Sequence, residues 1–301
     1  MDLVLRVPRV PDAGETLQAR SFMSNPGGKG ANQAVACARQ GARVAMAGRI
    51  GDDAFGLALK TSLEADGVDA RHVATDAAST GVALIVVDDG AQNRIALSPG
   101  ANASVGSEDI KRLRSALATA RIVSLQLEVP MPAVCEAAAI AHAAGCTVVL
   151  NPAPAQPLPD TLWPLVSILV LNETEAAMLS GLPVRDTASA ARAAVALRQR
   201  GPAHVILTMG ADGVVVANAE GSRHFEALSV RAVDTTAAGD TFIGALCAAL
   251  AKNESIDSVV ALGIQAAALS VTKAGAQVSM PHRQDLAALP AVPQPSTVVP
   301  R

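Results

Sequence analysis

From about residue 120 onward, the chain alternates between short apolar runs and longer segments with helical spacing. The strand-like runs are 122–127, 147–150, 167–171 and 204–209. The helical segments are 131–144, the stretch that opens at Asn172, and 186–200. Short β-branched runs that alternate with helices are typical of a parallel sheet covered on both faces. The pattern therefore predicts an α/β fold.

Polar residues follow these apolar runs at several points. Glu128, Asn151, Asn172 and Thr208 each stand at or just beyond the end of a predicted strand. Ligands of open parallel sheets bind outside the carboxyl ends of the strands. We therefore expect a ligand site near these four positions.

Two early segments and the C-terminal tail depart from the alternation. Residues 2–24 and 79–99 contain extended runs without a long helix, and Asp88-Asp89-Gly90 forms a turn signal. They are predicted to form hairpin-like strands of a small separate sheet, a lid. The remainder of 1–288 is predicted to complete a single domain. The tail 289–301 has four prolines in 13 residues and is predicted to be disordered.

Composition excludes some classes of function. Aromatic residues make up 2% of the chain and the net charge is −3, which argues against a nucleic-acid partner. The four cysteines form no CxxC pair, and no apolar run is long enough to cross a membrane. These features predict a cytoplasmic protein without a membrane partner.

The first candidate motif is the glycine-rich stretch 25–34. A Walker-type phosphate loop is excluded because Met23 stands where its first glycine should be and Gly30 follows Lys29. What remains is a loop that leads into a predicted helix at about 31–40. Its glycines let the backbone approach a ligand, and the Asn32 amide suits a sugar diol. A tight turn with a helix cap is the structural alternative.

The second motif is 234–242, which leads into an apolar helix. Asp240 falls in the first turn of that helix, where free N–H groups should lower its pKa and keep it ionised. It could then accept a proton from a hydroxyl, while the amides of Ala238, Gly239 and Asp240 hold a transferring phosphoryl group. An ordinary helix cap is the alternative.

Two further groups are ambiguous when taken alone. Asn172-Glu173-Thr174-Glu175 either caps a helix or orders waters on Mg²⁺. Residues 208–213, Thr-Met-Gly-Ala-Asp-Gly, either form a hairpin turn or line a nucleotide phosphate site.

Together, in this order, the motifs resemble the ribokinase family, the phosphofructokinase-B group of sugar kinases, over residues 2 to about 285. Gly51–Gly56 and Asn151-Pro152-Ala153-Pro154 add to the match. The resemblance implies a three-layer sandwich with a mainly parallel central sheet and a small β lid. It also implies ATP-dependent phosphorylation of D-ribose at its 5-hydroxyl, and homodimerisation through the lid.

The resemblance also implies residue roles. Asp240 would be the catalytic base, with the Ala238 and Gly239 amides as anion hole. The sugar would be held by Asp2, Gly28, Lys29, Asn32, Glu128 and Asp240. ATP would be bound by Asn172, Thr208, Gly210, Gly213 and Gly239. Glu175 would organise Mg²⁺ through water. A potassium site would involve Asp234, Thr236, Ser270, Lys273, Gly275 and Ser279.

One departure from the family pattern concerns the N-terminus. Family members usually begin with a core strand that ends in Gly-Ser-x-Asn-x-Asp, whereas this chain begins at Met1-Asp2. The first core strand is therefore expected to be missing, and the native protein is expected to begin upstream with an apolar strand.

Two other functions stay open, and a third is disfavoured. A deoxyribokinase or another pentose or nucleoside kinase would use the same Asp240. A truncated, catalytically weak sugar-binding homologue is a second possibility. A dinucleotide oxidoreductase is disfavoured because no GxGxxG motif opens a helix after the first strand.

Overall fold

The computed structural model describes residues 1–90 and 92–298. The strands in these residues are β1 (Asp2–Arg6), β2 (Ser21–Asn25), β3 (Ala45–Gly51), β4 (Asp69–Asp76), β5 (Val82–Val87), β6 (Asn93–Ser98), β7 (Ile122–Leu125), β8 (Thr147–Leu150), β9 (Ile168–Asn172), β10 (His204–Thr208), β11 (Val214–Asn218), β12 (Gly221–Phe225) and β13 (Ser296–Val298). The helices are α1 (Lys29–Arg39), α2 (Ala54–Ala65), α3 (Ser107–Arg112), α4 (Arg114–Leu117), α5 (Met131–Ala143), α6 (Glu173–Ser180), α7 (Thr187–Arg198), α8 (Ala238–Leu250) and α9 (Ile256–Ser270).

The larger sheet has the strand order β13-β12-β11-β10-β9-β8-β7. Strands β7 to β10 are parallel, and β11 to β13 extend the sheet in antiparallel fashion. Helices α5, α6 and α7 pack on one face, where Val148 and Leu150 point, and α8 and α9 pack on the other, where Val149 points. This arrangement confirms the predicted α/β three-layer fold.

A second, two-stranded sheet is formed by the parallel pair β3 and β4. It packs against α1 and α2 through a core that includes Val35, Leu63 and Val73. Within the described residues, β3 is paired only with β4, and β7 only with β8. No described strand joins the two sheets. They approach each other at the start of α1, where a Cβ on Gly30 would lie 3.0 Å from both Met46 on β3 and Gln126 just after β7.

The lid is a four-stranded sheet in the order β2-β1-β5-β6. Its strands come from the two segments that the sequence pattern assigned to it. Parallel pairing of β1 with β5 forms its centre, and β2 and β6 add antiparallel edges. Large apolar side chains remain exposed on it, including Phe22 (61%), Ile95 (57%) and Leu97 (58%). The start of β1 lies beside the loop that precedes α1, so the lid reaches the site described below.

The tail differs from the expected disorder where the structure describes it. Ser296–Val298 forms β13 and pairs with β12, and Leu289 and Val292 pack against the core beneath α8 and α9. The physical reason is tertiary: the outer edge of β12 offers unpaired backbone groups to the passing chain. Residues 299–301 lie outside the described part of the chain.

Of the helices that the structure describes, not one combines the length and the apolar character that crossing a membrane requires.

Candidate active site

Four carboxyl groups from separate parts of the chain influence one another electrostatically around Asp240. They belong to Asp2 at the start of β1, Glu128 after β7, Glu175 on α6 and Asp240 on α8. Burial raises the pKa of Asp2, Glu128 and Glu175, and the nearby charge of Asp240 raises each of them further. The Lys29 ammonium acts in the opposite direction on all four carboxyl groups. The cluster is therefore acidic, with Lys29 as a shared counter-charge.

Asp240 lies where the sequence predicts it, in the first turn of α8, and is only 7% exposed. Burial raises its pKa, opposed by Lys29 and by hydrogen bonds from Asn32 and Gln33. The predicted lowering of this pKa by the helix N-terminus is wrong because desolvation of the carboxylate outweighs it. A raised pKa makes the carboxylate a stronger base, which suits proton abstraction.

The backbone amides at the start of α8 are not equivalent. The N–H of Ala238 donates to the Thr235 carbonyl at 3.2 Å. The N–H groups of Gly239 and Asp240 have no hydrogen-bond acceptor among the described residues. In this structure the turn engages the Ala238 N–H of the predicted anion hole, whereas the N–H groups of Gly239 and Asp240 are free to donate. Ala237, the N-cap residue of α8, has a φ of 59°, a strained value for a residue other than glycine.

The glycine-rich loop holds the predicted sugar-binding residues together. Gly28 precedes α1 with a φ of 92°, which favours glycine. The Lys29 N–H donates to Glu128 Oε2 at 2.8 Å, which joins the loop to the end of β7. A Cβ on Gly27 would lie 2.2 Å from the Asp2 carboxyl group, so the lid carboxylate packs directly on this loop.

The Asn32 amide, which is predicted to contact a sugar diol, contacts two protein side chains in this structure. Its Nδ2 donates to Asp240 Oδ2 at 3.0 Å, and its Oδ1 accepts from Gln277 Nε2 at 3.2 Å. Because an amide nitrogen carries two hydrogens, one N–H of Asn32 remains for a substrate. The main partner of Asn32 in this structure is the predicted base.

The predicted nucleotide-binding residues lie along the ends of β9 and β10. Asn172 and Thr208 are register partners on these strands. Asn172 Oδ1 accepts from the Glu175 N–H at 2.9 Å, and the Glu175 carboxylate accepts two hydrogen bonds from Asn172, one from its N–H and one from its Nδ2. Both residues therefore cap α6, and the capping alternative is present. Gly210 opens a short helical turn and Gly213 follows it, within the hairpin that joins β10 to β11.

The predicted potassium residues lie before α8 and at or after the end of α9, and two of them, Thr236 and Gly275, contact Asp234. Its Oδ1 accepts from the N–H and the hydroxyl of Thr236, and its Oδ2 from the Gly275 N–H at 2.8 Å. Burial raises the pKa of Asp234, but these hydrogen bonds outweigh it and hold the pKa below the ordinary value. The hydroxyls of Ser270 and Ser279 donate to nearby backbone carbonyls, and Lys273 is exposed.

The profile of the pfkB family of carbohydrate kinases matches residues 1–283. The chain belongs to this family. It is 43% identical over 285 residues to a ribokinase of Haemophilus influenzae, an alignment that covers 94% of this chain and 93% of the relative. It is 37% identical over 284 residues to a deoxyribokinase of Salmonella typhi, covering 93% and 92%. A structure of Arabidopsis thaliana ribokinase with ribose and ATP superposes with a TM-score of 0.88, at 30% identity, covering 95% and 94%.

The carbohydrate kinase site also contains residues that the sequence motifs did not single out. Gln33 and Gln277 are both buried, and they donate to Asp240 and to Asn32, respectively. Gln126 also reaches Gln33. The signal that could have identified Gln33 is its position directly before the apolar residues 34–37, because that position predicts that its side chain is buried. A buried glutamine requires hydrogen-bond partners.

Proposed function

We propose that this carbohydrate kinase transfers the γ-phosphoryl group of ATP to the 5-hydroxyl of D-ribose. The observation that carries the proposal is the environment of Asp240. A buried carboxylate with a raised pKa stands next to two free N–H donors, those of Gly239 and Asp240. Placing a base beside an anion-binding site is what phosphoryl transfer requires.

Each step of the reaction has a group to perform it. Asp240 accepts the proton of the sugar hydroxyl as that oxygen attacks the γ-phosphorus. The bond to the ADP oxygen breaks, and the free N–H groups of Gly239 and Asp240 stabilise the negative charge on the transferring group. Asp2 from the lid, Lys29 from the start of α1 and Glu128 from the segment after β7 border the glycine-rich loop, where they can hold the other hydroxyls of a polar sugar.

The nucleotide would lie along the ends of β9 and β10. Asn172, Thr208, Gly210 and Gly213 would contact its phosphates there. Mg²⁺ would be bound mainly by phosphate oxygens and water, as its preference for hydrated octahedral sites requires. Glu175 fits an outer role, because Asn172 already binds both of its carboxylate oxygens. No cluster of three or more His, Cys, Asp or Glu side chains in the described part of the chain forms a metal-binding group.

The test is sugar-dependent formation of ADP by the purified chain. D-ribose should support turnover, and the product should carry the phosphate on O5. A parallel panel with 2-deoxyribose and nucleosides addresses the second candidate, which the similarity to a deoxyribokinase favours. If kcat/KM is higher with 2-deoxyribose than with ribose, 2-deoxyribose is the preferred substrate. Sugar binding without ADP formation would instead indicate a sugar-binding homologue.

Potassium activation is expected. Asp234 retains acceptor capacity on Oδ2, because a carboxylate accepts about four hydrogen bonds and this one accepts three from Thr236 and Gly275. A cation held there with backbone carbonyls of the loop after α9 would order the segment that leads into the Gly239 amide. Turnover should be several-fold higher in potassium than in sodium buffer, and Asp234→Asn should remove the difference. Equal wild-type rates in both salts would contradict the cation site.

A homodimer formed through the lid is also proposed. Phe22 and Ile95 are more than half exposed and point to opposite faces of the lid sheet. Covering such apolar side chains with a second copy is favourable. Sedimentation velocity should show a dimer, and Phe22→Asp or Ile95→Asp should shift it toward monomer. A wild-type monomer at micromolar concentration, or dimers of both variants, would refute the lid interface.

The reaction is proposed to occur in the cytoplasm. The four cysteines are all free thiols, as expected for a chain in a reducing compartment.

A further inference from the structure

Gln33 contacts the predicted base directly but is not part of the reaction proposed above. It lies on α1 with only 3% of its surface exposed. Its Nε2 donates to Asp240 Oδ1 at 3.1 Å, while Asn32 Nδ2 donates to Asp240 Oδ2 at 3.0 Å. Each oxygen of the Asp240 carboxylate therefore accepts one amide hydrogen bond from α1.

The orientation of the Gln33 amide is fixed by its other partners. Its Oε1 accepts from Ser124 Oγ at 3.0 Å and from Gln126 Nε2. Its Nε2 also donates to Asn151 Oδ1 at 3.3 Å. A flipped amide would turn Oε1 toward the Asp240 carboxylate and the Asn151 carbonyl oxygen, and Nε2 toward the Gln126 NH₂ group. Both changes replace attraction by repulsion.

Asn151 is fixed in the same way, because its Nδ2 donates to the Val170 carbonyl at 3.0 Å. Gln33 consequently uses both of its N–H groups and both lone pairs of Oε1. A fully satisfied buried network of this kind is rigid. It connects Asp240 on α8 to the ends of β7 and β8 through a single side chain.

We infer that Gln33 is a positioning residue for the catalytic base: it fixes the rotation of the Asp240 carboxylate and favours its ionised form. The inference rests on the proposed function of Asp240, and deepens it. Burial acts in the opposite sense by raising the pKa of Asp240, and the hydrogen bond from Gln33 limits that rise. With Gln33, the carboxylate stays ionised at lower pH, and each of its oxygens keeps a lone pair that Asn32 and Gln33 do not use.

The test uses Gln33→Met, which keeps the approximate length of the side chain and removes its donors and acceptor. Gln40→Met is the matched control. Gln40 is also a buried amide, just after α1, but its Nε2 donates to the Pro281 carbonyl and does not touch Asp240. If Gln33 were merely structural, both variants would lose stability and nothing else would separate them.

The first readout needs no substrate. Titration of the Asp240 carboxyl carbon by NMR, assigned by its loss in Asp240→Asn, should show a higher midpoint in Gln33→Met than in the wild type and in Gln40→Met. The second readout is the pH profile of kcat/KM, whose acid limb should move in the same direction. A drop in kcat of about 10–100-fold is expected, since small misplacements of a reacting group cost up to about 100-fold.

Ser124→Ala serves if Gln33→Met does not fold. It removes one of the two donors that orient Gln33, so it should move the Asp240 titration in the same direction by less. An unchanged Asp240 midpoint in the folded Gln33→Met protein, or in Ser124→Ala if that is the one that folds, overturns the inference. A wild-type protein that phosphorylates no sugar overturns the proposed function instead, and the substrate-free titration then still decides the role of Gln33 toward Asp240.

Discussion

Asp240→Asn is expected to lower kcat by about 10²–10⁴-fold, the usual cost of removing a general base. The Asn side chain occupies nearly the same volume but cannot accept the sugar proton. Its amide would also place N–H groups against Asn32 or Gln33, which both donate to this position in the wild type. Turnover should be measured at saturating sugar and ATP, and sugar binding by calorimetry should survive.

A matched control is Asp257→Asn. Asp257 is likewise the acidic residue in the first turn of a helix, α9, but it pairs with Arg223 instead of facing the site. That variant should keep near wild-type turnover. Retention of more than about a tenth of wild-type kcat by Asp240→Asn would remove Asp240 from the role of base.

Gly244→Ala is expected to destabilise the fold by about 1–3 kcal/mol, the usual cost of overpacking a core. Gly244 lies on α8 where this helix crosses α1. An added Cβ would lie 2.4 Å from Ala36 Cβ and 2.7 Å from both the Cys37 nitrogen and the Gln33 carbonyl oxygen. Two of these three atoms belong to the backbone and cannot move alone, so the helices must separate.

The sign of the effect makes the experiment decisive. In a helix without such contacts, replacing glycine by alanine stabilises by about 0.5–1 kcal/mol. Urea denaturation should show a lower midpoint for Gly244→Ala. Turnover should fall too, because α1 carries the amides that hold Asp240 on α8. Gly106→Ala, where the nearest atom to an added Cβ is the Ser104 carbonyl oxygen at 3.9 Å, should cost clearly less, namely only the weaker capping of α3 by alanine. A stabilised Gly244→Ala protein would mean that α1 and α8 pack less closely than described.

The local pattern of the sequence was sufficient for the elements that build the site. The helix predicted at 31–40 is α1, the one at 131–144 is α5, and the strand runs from 122 to 209 are β7 to β10. Each of these has a strong periodic or continuous apolar pattern, and the pattern depends little on distant contacts. The convergence of Glu128, Asn172 and Thr208 at one edge followed from the parallel order alone.

What the sequence could not predict depends on tertiary surroundings. Desolvation decides the direction of the Asp240 pKa, and the extent of burial is not written in the motif. The Ala238 N–H is lost to the Thr235 carbonyl because of the local turn. The edge of β12 decides the conformation of the tail around Ser296–Val298. The contacts of Gln33 depend on Ser124 and Asp240, which lie 91 and 207 residues away along the chain.

The separation of the β3–β4 sheet from the large sheet affects the opening motions of the molecule. Within the described residues, no backbone hydrogen bond links β3 to β7, so the β3–β4 unit and the large sheet are joined by side chains, chiefly through the contact between α1 and α8. Cooperative opening of a protein tends to follow such boundaries between units. A small hinge displacement along this seam would carry Lys29, Asn32 and Gln33 away from Asp240 without unfolding either sheet. The proposed base and the residues that contact it therefore lie on opposite sides of the boundary between these two units.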